Sequence, residues 1–248
     1  RLVTLSAGRL CKELFRVGAL PPAKDGATLD ERARRAARND AEAAKIRDSL
    51  TVIEGLEEPV EVTFVVAMYD EERRLRPRSP ENPLGEDALR AKVAQLETLR
   101  RVNRRFSWRL VFVDDGTPGA ASARCVERIW EEIRGEYASR GVTLDPALVV
   151  TDDRITPETK RAMRSRKGGA VVRGMREALT VSRDDAGKTR YIGYTDVDIS
   201  TNLMQTGLLL EALRAKGAGV AIGSRWCAGG VGVDVPFFGR LSDRKSVV

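Results

Sequence analysis

The sequence contains no histidine, and that absence removes Ser-His-Asp triads, His-ligated metals and imidazole general bases from consideration. Acid/base work then falls to carboxylates, Lys, Tyr or the substrate itself. Cysteine is scarce. Cys11, Cys125 and Cys227 are odd in number, far apart and form no C-x-x-C, so neither a disulfide framework nor a zinc site is supported. This usage fits a reducing, cytoplasmic compartment. Long apolar runs are missing too: none approaches the roughly 18–20 residues that a membrane helix needs, and the mean hydropathy is −0.31. Aromatics are 5% of the chain and do not interleave with the arginine-rich runs Arg73–Arg78, Arg100–Arg105 and Arg161–Lys167, so nucleic acid is not the expected partner.

What is present is length and positive charge. With 248 residues the chain suits one large α/β domain, or at most two small ones, with ample length to bury a core. Its net charge of +7 favours anionic partners, among them phosphorylated small molecules and anionic lipid headgroups. A start at Arg1 rather than Met and an end at Val248 have the form of a fragment.

Two regions differ in character. Up to about Glu58 the chain reads as a helical N-terminal extension: Thr28-Leu29-Asp30-Glu31 has the form of a capping box, and an Ala/Arg/Glu-rich run follows to Leu50. Arg32, Arg34, Arg35 and Arg38 on that helix suit a solvated face, or contact with nucleic acid or acidic lipid. From Val60 short β-branched runs alternate with amphipathic stretches. Strands are expected at Val60–Met68, Arg109–Val113, Ala147–Thr151, Tyr191–Thr195 and Gly219–Ile222. Helices are expected at about Glu86–Arg105, Ala121–Tyr137, Gly169–Val181 and Leu203–Lys216. Continuous apolar strands such as Leu110-Val111-Phe112-Val113 point to a mainly parallel sheet covered by helices on both faces. The polar stretch Arg73–Pro83, with three prolines among charges, reads as a mobile loop.

The informative residues follow the strands, where ligands of open α/β sheets bind. Tyr69-Asp70-Glu71-Glu72 follows the first, Asp114-Asp115-Gly116-Thr117 the second, and Asp196-Val197-Asp198 the strand Tyr191–Thr195. Like charges gathered at one sheet edge demand cations or donors, which suggests a metal and a polar ligand. In extended chain Asp196 and Asp198 point to one side, as ligands of a hard divalent cation would, with diphosphate oxygens and water completing the shell. The alternative is a helix entry, with Ser200, Thr201 or Asn202 as cap and the aspartates merely favourable to the dipole. Asp114 and Asp115 suit ribose hydroxyls or base N–H groups, or else an Asx-turn closing the strand. Tyr69 suits base stacking, and Glu71 a helix cap or the nucleotide.

Lys167-Gly168-Gly169-Ala170 opens a helix whose small residues and free N–H groups suit an anion, with charged helix entry as the alternative. Gly223-Ser224-Arg225 ends the last expected strand with an arginine suited to a diphosphate or to a surface salt bridge. Ala186-Gly187-Lys188-Thr189 imitates the tail of a P-loop, but it lacks the first glycine and precedes a strand instead of following one.

In order and approximate spacing these segments resemble family 2 glycosyltransferases, most nearly the polyprenyl-phosphate (dolichyl-phosphate) mannosyl- and glucosyltransferase branch. The segments are Val65–Glu72, Val113–Thr117, Lys167–Met175, Asp196–Thr201 and Gly223–Arg225, so the resemblance spans about Val60 to Arg225. It implies a GT-A fold, Rossmann-like, with a nucleotide-diphospho-sugar donor (UDP- or GDP-sugar) and inversion at the anomeric carbon. Tyr69, Glu71 and Asp114, with Asp115 nearby, would hold the nucleoside. Asp196 and Asp198 would hold Mn2+ or Mg2+, and Lys167 and Arg225 match the family's K-G lysine and G-S-R arginine. Ala67, Gly168 and Val197 complete the donor-contacting set, and Asp196, Asp198 and Arg225 the catalytic one.

The match has departures: Ala67 stands for the usual proline, Asp70 for the usual Asn, and Thr117-Pro118-Gly119-Ala120 lacks the family's acid. A hydroxyl acceptor needs a base, yet after Arg225 the only acids are Asp234 and Asp243, neither in a recognisable base motif. A phosphate acceptor needs none. The expected acceptor is therefore a polyprenyl or dolichyl phosphate or another phosphorylated molecule, with peripheral contact at the cytoplasmic membrane surface as its corollary. Competing readings are transfer to a hydroxyl acceptor, a nucleotidyltransferase on a related fold, whose glycine-rich signature is missing, and a non-catalytic basic nucleotide- or RNA-binding module.

Overall fold

The protein, seen in a computed structural model, is described over residues 29–144, 148–151, 167–181, 187–215 and 217–223. In chain order its elements are α1 (Leu29–Glu54), β1 (Val60–Met68), α2 (Glu72–Leu75), α3 (Ala88–Val102), β2 (Phe106–Asp114) and α4 (Ala121–Ala138). Then come β3 (Leu148–Thr151), α5 (Lys167–Val181), β4 (Thr189–Asp196) and α6 (Thr206–Ala215). One-turn 3-10 segments, Pro118–Ala120 and Leu203–Gln205, lead into α4 and α6.

The four strands form one open sheet in the order β3-β2-β1-β4, and every pairing is parallel. Because side chains alternate along a strand, β1 and β2 feed two cores at once. Val60, Val62, Phe64, Val66 and Met68 join Phe106, Trp108, Leu110 and Phe112 on one face, which α1, α3, α4 and α6 cover. Val65, Ala67, Val111 and Val113 face the other way, onto α5. The second layer is thin and close: a Cβ at Gly174 would lie 2.3 Å from Val65 Cγ1, so only glycine lets α5 approach the sheet there. The result is an α/β protein with an open parallel sheet and helices on both faces, an arrangement compatible with a Rossmann-like fold.

The N-terminal helix docks over the sheet. Ile46 and Ile53 are buried in the larger core, the Gly207 amide donates to Ser49 Oγ at 2.8 Å, and Asn202 Nδ2 donates to Glu42 Oε1 at 2.9 Å. The capping box at Thr28 and the side chains of Arg32 to Arg38 lie outside the described residues.

Two expectations are corrected. Gly219–Ile222 forms no strand, and Val220 and Ile222 stand 74% and 72% exposed. Three glycines and two alanines surround its two branched residues over Gly217–Gly223, which leaves little apolar area to offset the ordering of a strand. The stretch Arg73–Pro83 is tied down: Asn82 Nδ2 donates to the Arg73 and Pro77 carbonyls, and Ser79 and Asn82 exchange backbone hydrogen bonds. Its polar residues bond to the chain itself, which polarity alone does not reveal. Among the described residues no helix is long and apolar enough to cross a membrane.

Candidate functional site

Parallel pairing fixes where the strands stop. Ala67 of β1 lies in register with Asp196 of β4, and Met68 with Asp114 of β2, so three carboxylate-bearing segments leave the sheet at one edge. Ala67 and Val197 are buried beneath that edge, while Tyr69 stands 51% exposed above it.

Asp114 and Asp115 have different surroundings from the D-x-D pair. Asp114 is fully buried, and its two oxygens accept from the Thr117 and Ala123 amides at 2.8 and 3.0 Å. It closes the turn after β2 and caps the start of α4, the Asx-turn alternative of the sequence. Asp115 is also buried, and its amide donates to the Met68 carbonyl. Thr117 and Ser122 extend this frame to the end of β1, accepting from the Asp70 and Glu71 amides at 3.0 Å each.

The D-x-D carboxylates are held by cations. Asp196 accepts from the Tyr194 hydroxyl and the Lys167 ammonium. Burial pushes the Asp196 carboxyl up, but the hydrogen bonds of Lys167 and Tyr194 and the charges of Lys167 and Lys92 outweigh it and hold the group below the usual range. Burial and Asp196 together push Tyr194 up to about 12. The Lys167 ammonium also lies over the Tyr194 ring, 5.6 Å from its centroid. Lys167 is the first residue of α5, with Gly168 exposed beside it, so the amino end of that helix faces Asp196. Asp198 accepts from the Ser200 amide and hydroxyl at 3.2 and 2.6 Å, and Arg74 reaches it at 3.4 Å. Arg74 also lies 3.6 Å from Glu71. Helix capping falls to Asn202, whose side chain accepts from the Met204 amide, so neither aspartate serves as that cap.

Glu71 makes no side-chain cap to α2. Burial raises its pKa, Arg74 lowers it, and the charges of Asp198, Glu86 and Asp196 raise it further. Four carboxylates thus share one field, a surplus whose oxygens suit a hard cation. Among the described residues no group of three or more His, Cys, Asp or Glu is arranged to hold a metal ion.

Sequence reasoning missed Lys92. It is 2% exposed in the middle of α3, and its ammonium donates to the Asp198 carbonyl at 2.8 Å. Desolvation lowers its pKa to about 8 against the opposing pull of Asp198, Asp196 and Glu86. A signal existed. Ala88, Leu89, Val93, Leu96 and Leu99 form the apolar stripe of α3, and Lys92 sits within it at helical spacing. Arg225 lies outside the described residues.

The fold and its polar strand ends define an α/β protein with charged residues gathered at the carboxyl edge of a parallel sheet. Compared with protein-family models, curated proteins and solved structures, the chain matches none of them.

Proposed function

We propose that the chain is an inverting, metal-dependent glycosyltransferase of the GT-A type that moves a sugar from a nucleotide-diphospho-sugar to a phosphorylated acceptor such as a polyprenyl or dolichyl phosphate. The observation that carries this reading is the register of the strand ends, which brings Asp196 and Asp198 beside the end of β1 with Lys167 at the amino end of α5. A diphosphate there meets two D-x-D carboxylates, an ammonium and the amino end of a helix.

The acceptor oxygen attacks the anomeric carbon from the face opposite the diphosphate. A new C–O bond forms as the old one breaks, and the bonding electrons leave on the diphosphate, which inverts the centre. Asp196 and Asp198 would hold Mn2+ or Mg2+, which supplies neutralisation of charge growing on the leaving group. Lys167 and Arg74, each now on a D-x-D carboxylate, turn to the phosphate oxygens when the donor binds. Tyr69 offers its exposed ring to the base, and Glu71 its carboxylate to the nucleoside. An ionised phosphate acceptor requires no protein base, in keeping with a chain without histidine.

The test is a thermal-shift panel of UDP, GDP, dTDP and CMP, each with and without Mn2+, on wild type and Asp198→Ala. A ligand that binds only the native state raises the melting temperature. The expected result is a shift for one diphosphate that needs both Mn2+ and Asp198. No shift for any nucleotide overturns the reading, and so does sugar transfer by Asp198→Ala at the wild-type rate under saturating metal.

A further inference from the structure

Lys92 occupies a place that an apolar residue fills at lower cost. Its neighbours along α3, Ala88, Leu89, Ala91 and Val93, are all buried, and an ammonium taken out of water loses its hydration. One hydrogen bond to a carbonyl returns only part of that loss. What the position does achieve is contact with the backbone of the D-x-D segment. The turn after Asp198 is gripped from one side by α3 and the residues leading into it. Lys92 holds the Asp198 carbonyl at 2.8 Å, and Glu86 Oε2 accepts from the Ile199 amide at 3.2 Å. From the other side Asp198 itself accepts from Ser200. The charged groups in Lys92's field are Asp198, Asp196 and Glu86, all carboxylates.

We propose that Lys92 is a positioning residue for Asp198: its buried ammonium fixes the turn that carries this carboxylate and so sets the geometry of the D-x-D pair. Lys92 works from the core side of the sheet edge, through the backbone, while ligands approach Asp198 from outside. The proposal deepens the donor-site reading and, for its metal arm, rests on it. Residues that orient metal ligands change metal affinity when removed even though they touch no metal.

The variant is Lys92→Met, of similar length and without charge, with Lys92→Gln, which keeps a donor at shorter reach, as its partner. Both are first checked for native circular dichroism, and Lys92→Gln carries the test if Lys92→Met does not fold. The first readout needs no ligand: amide hydrogen exchange at Ile199 and Ser200 should speed up in Lys92→Met and less so in Lys92→Gln, while amides in β1 stay as they are. Unchanged exchange at the turn overturns the proposal. The second is Mn2+ affinity in the presence of the nucleoside diphosphate, read by water-proton relaxation.

The sign of the second readout is decisive. Removing a positive charge near two carboxylates tightens Mn2+ binding if Lys92 is only a counter-charge, and leaves it alone if Lys92 is only core filling. Positioning requires the opposite, a loss of about ten- to a hundredfold in Lys92→Met. Tighter or unchanged Mn2+ binding overturns the proposal. If wild type itself binds no Mn2+ with any nucleotide, the donor-site reading falls, and hydrogen exchange at the turn still decides whether Lys92 positions Asp198.

Discussion

Helix α3 carries two buried charges, and they behave differently. Glu97, 2% exposed, accepts from Trp108 Nε1 at 2.9 Å and pairs with Arg100 at 2.8 Å, so each of its oxygens meets a donor inside one small region of the core. Lys92, equally buried five residues earlier, reaches away from the helix to the turn after β4. Glu97 ties α3 to β2 and looks inward. Lys92 ties α3 to a segment rich in carboxylates at the sheet edge. Burial of a charge is thus not in itself a mark of function; the destination of its hydrogen bonds separates the two.

The largest effect that would break this comparison is on stability. Glu97→Ala leaves the Trp108 Nε1–H without its acceptor in a buried site, and thermal melts should show a loss of about 3 kcal/mol. Nucleotide-dependent shifts in the same variant should match wild type. If they vanish, the two ends of α3 are not separable.

The pH dependence of stability comes next in size. Burial lowers the pKa of Lys92 in the folded chain to about 8 from its ordinary value of 10.5, so between these values the unfolded chain binds more protons than the folded one. Below pH 8 both states carry the charge and the penalty is constant. Above that, stability from this group rises with pH, by up to about 3 kcal/mol once the unfolded lysine has also titrated. Tyr194, with a folded pKa near 12, acts in the opposite sense only above about pH 10. Denaturant titrations at pH 7 to 10 without added metal should therefore show a rise that Lys92→Met lacks.

Two smaller outcomes sharpen the contrast. Lys92→Met should melt a few degrees above wild type at pH 7, since an apolar side chain in a buried ionic position is neutral or stabilising, while its turn loosens. A lower melting point would assign Lys92 to the scaffold with Glu97. Asn202→Ala removes the cap before α6 and should cost about 1 kcal/mol in a chemical melt, leaving Asp198 in place.

The strands were legible where both faces of the sheet are covered. Val60–Met68 was read with the observed bounds: its second half, Phe64–Met68, is continuously apolar, and all nine positions are buried, Glu61 and Thr63 included. The strand expected at Arg109–Val113 begins earlier, at Phe106, since Ser107 and Arg109 alternate with Phe106 and Trp108 where one face is still partly open. At the site, the spacing of Asp196 and Asp198 was legible, and so was the gathering of three strand ends. The grip on them was not. It comes from Arg74, Glu86 and Lys92, which lie more than a hundred residues away and meet the D-x-D segment only through tertiary packing. Asp114 shows the converse: beside Asp115 it reads as a ligand contact, yet local geometry commits both its oxygens to backbone amides.

The seam between α1 and α6 has a consequence for how the chain comes into being. Ser49 and Gly207 are 158 positions apart, and a Cβ at Gly207 would lie 2.2 Å from the Ser49 carbonyl, so the two helices touch backbone to backbone. A ribosome adding about 5–20 residues per second makes α1 many seconds before the surface that receives it. During that interval α1 can pack on α3 but not on α6, and closure of the seam joins nearly the first described residues to nearly the last. Closure of this seam therefore waits on a contact of long sequence separation and follows the pairing of the early strands.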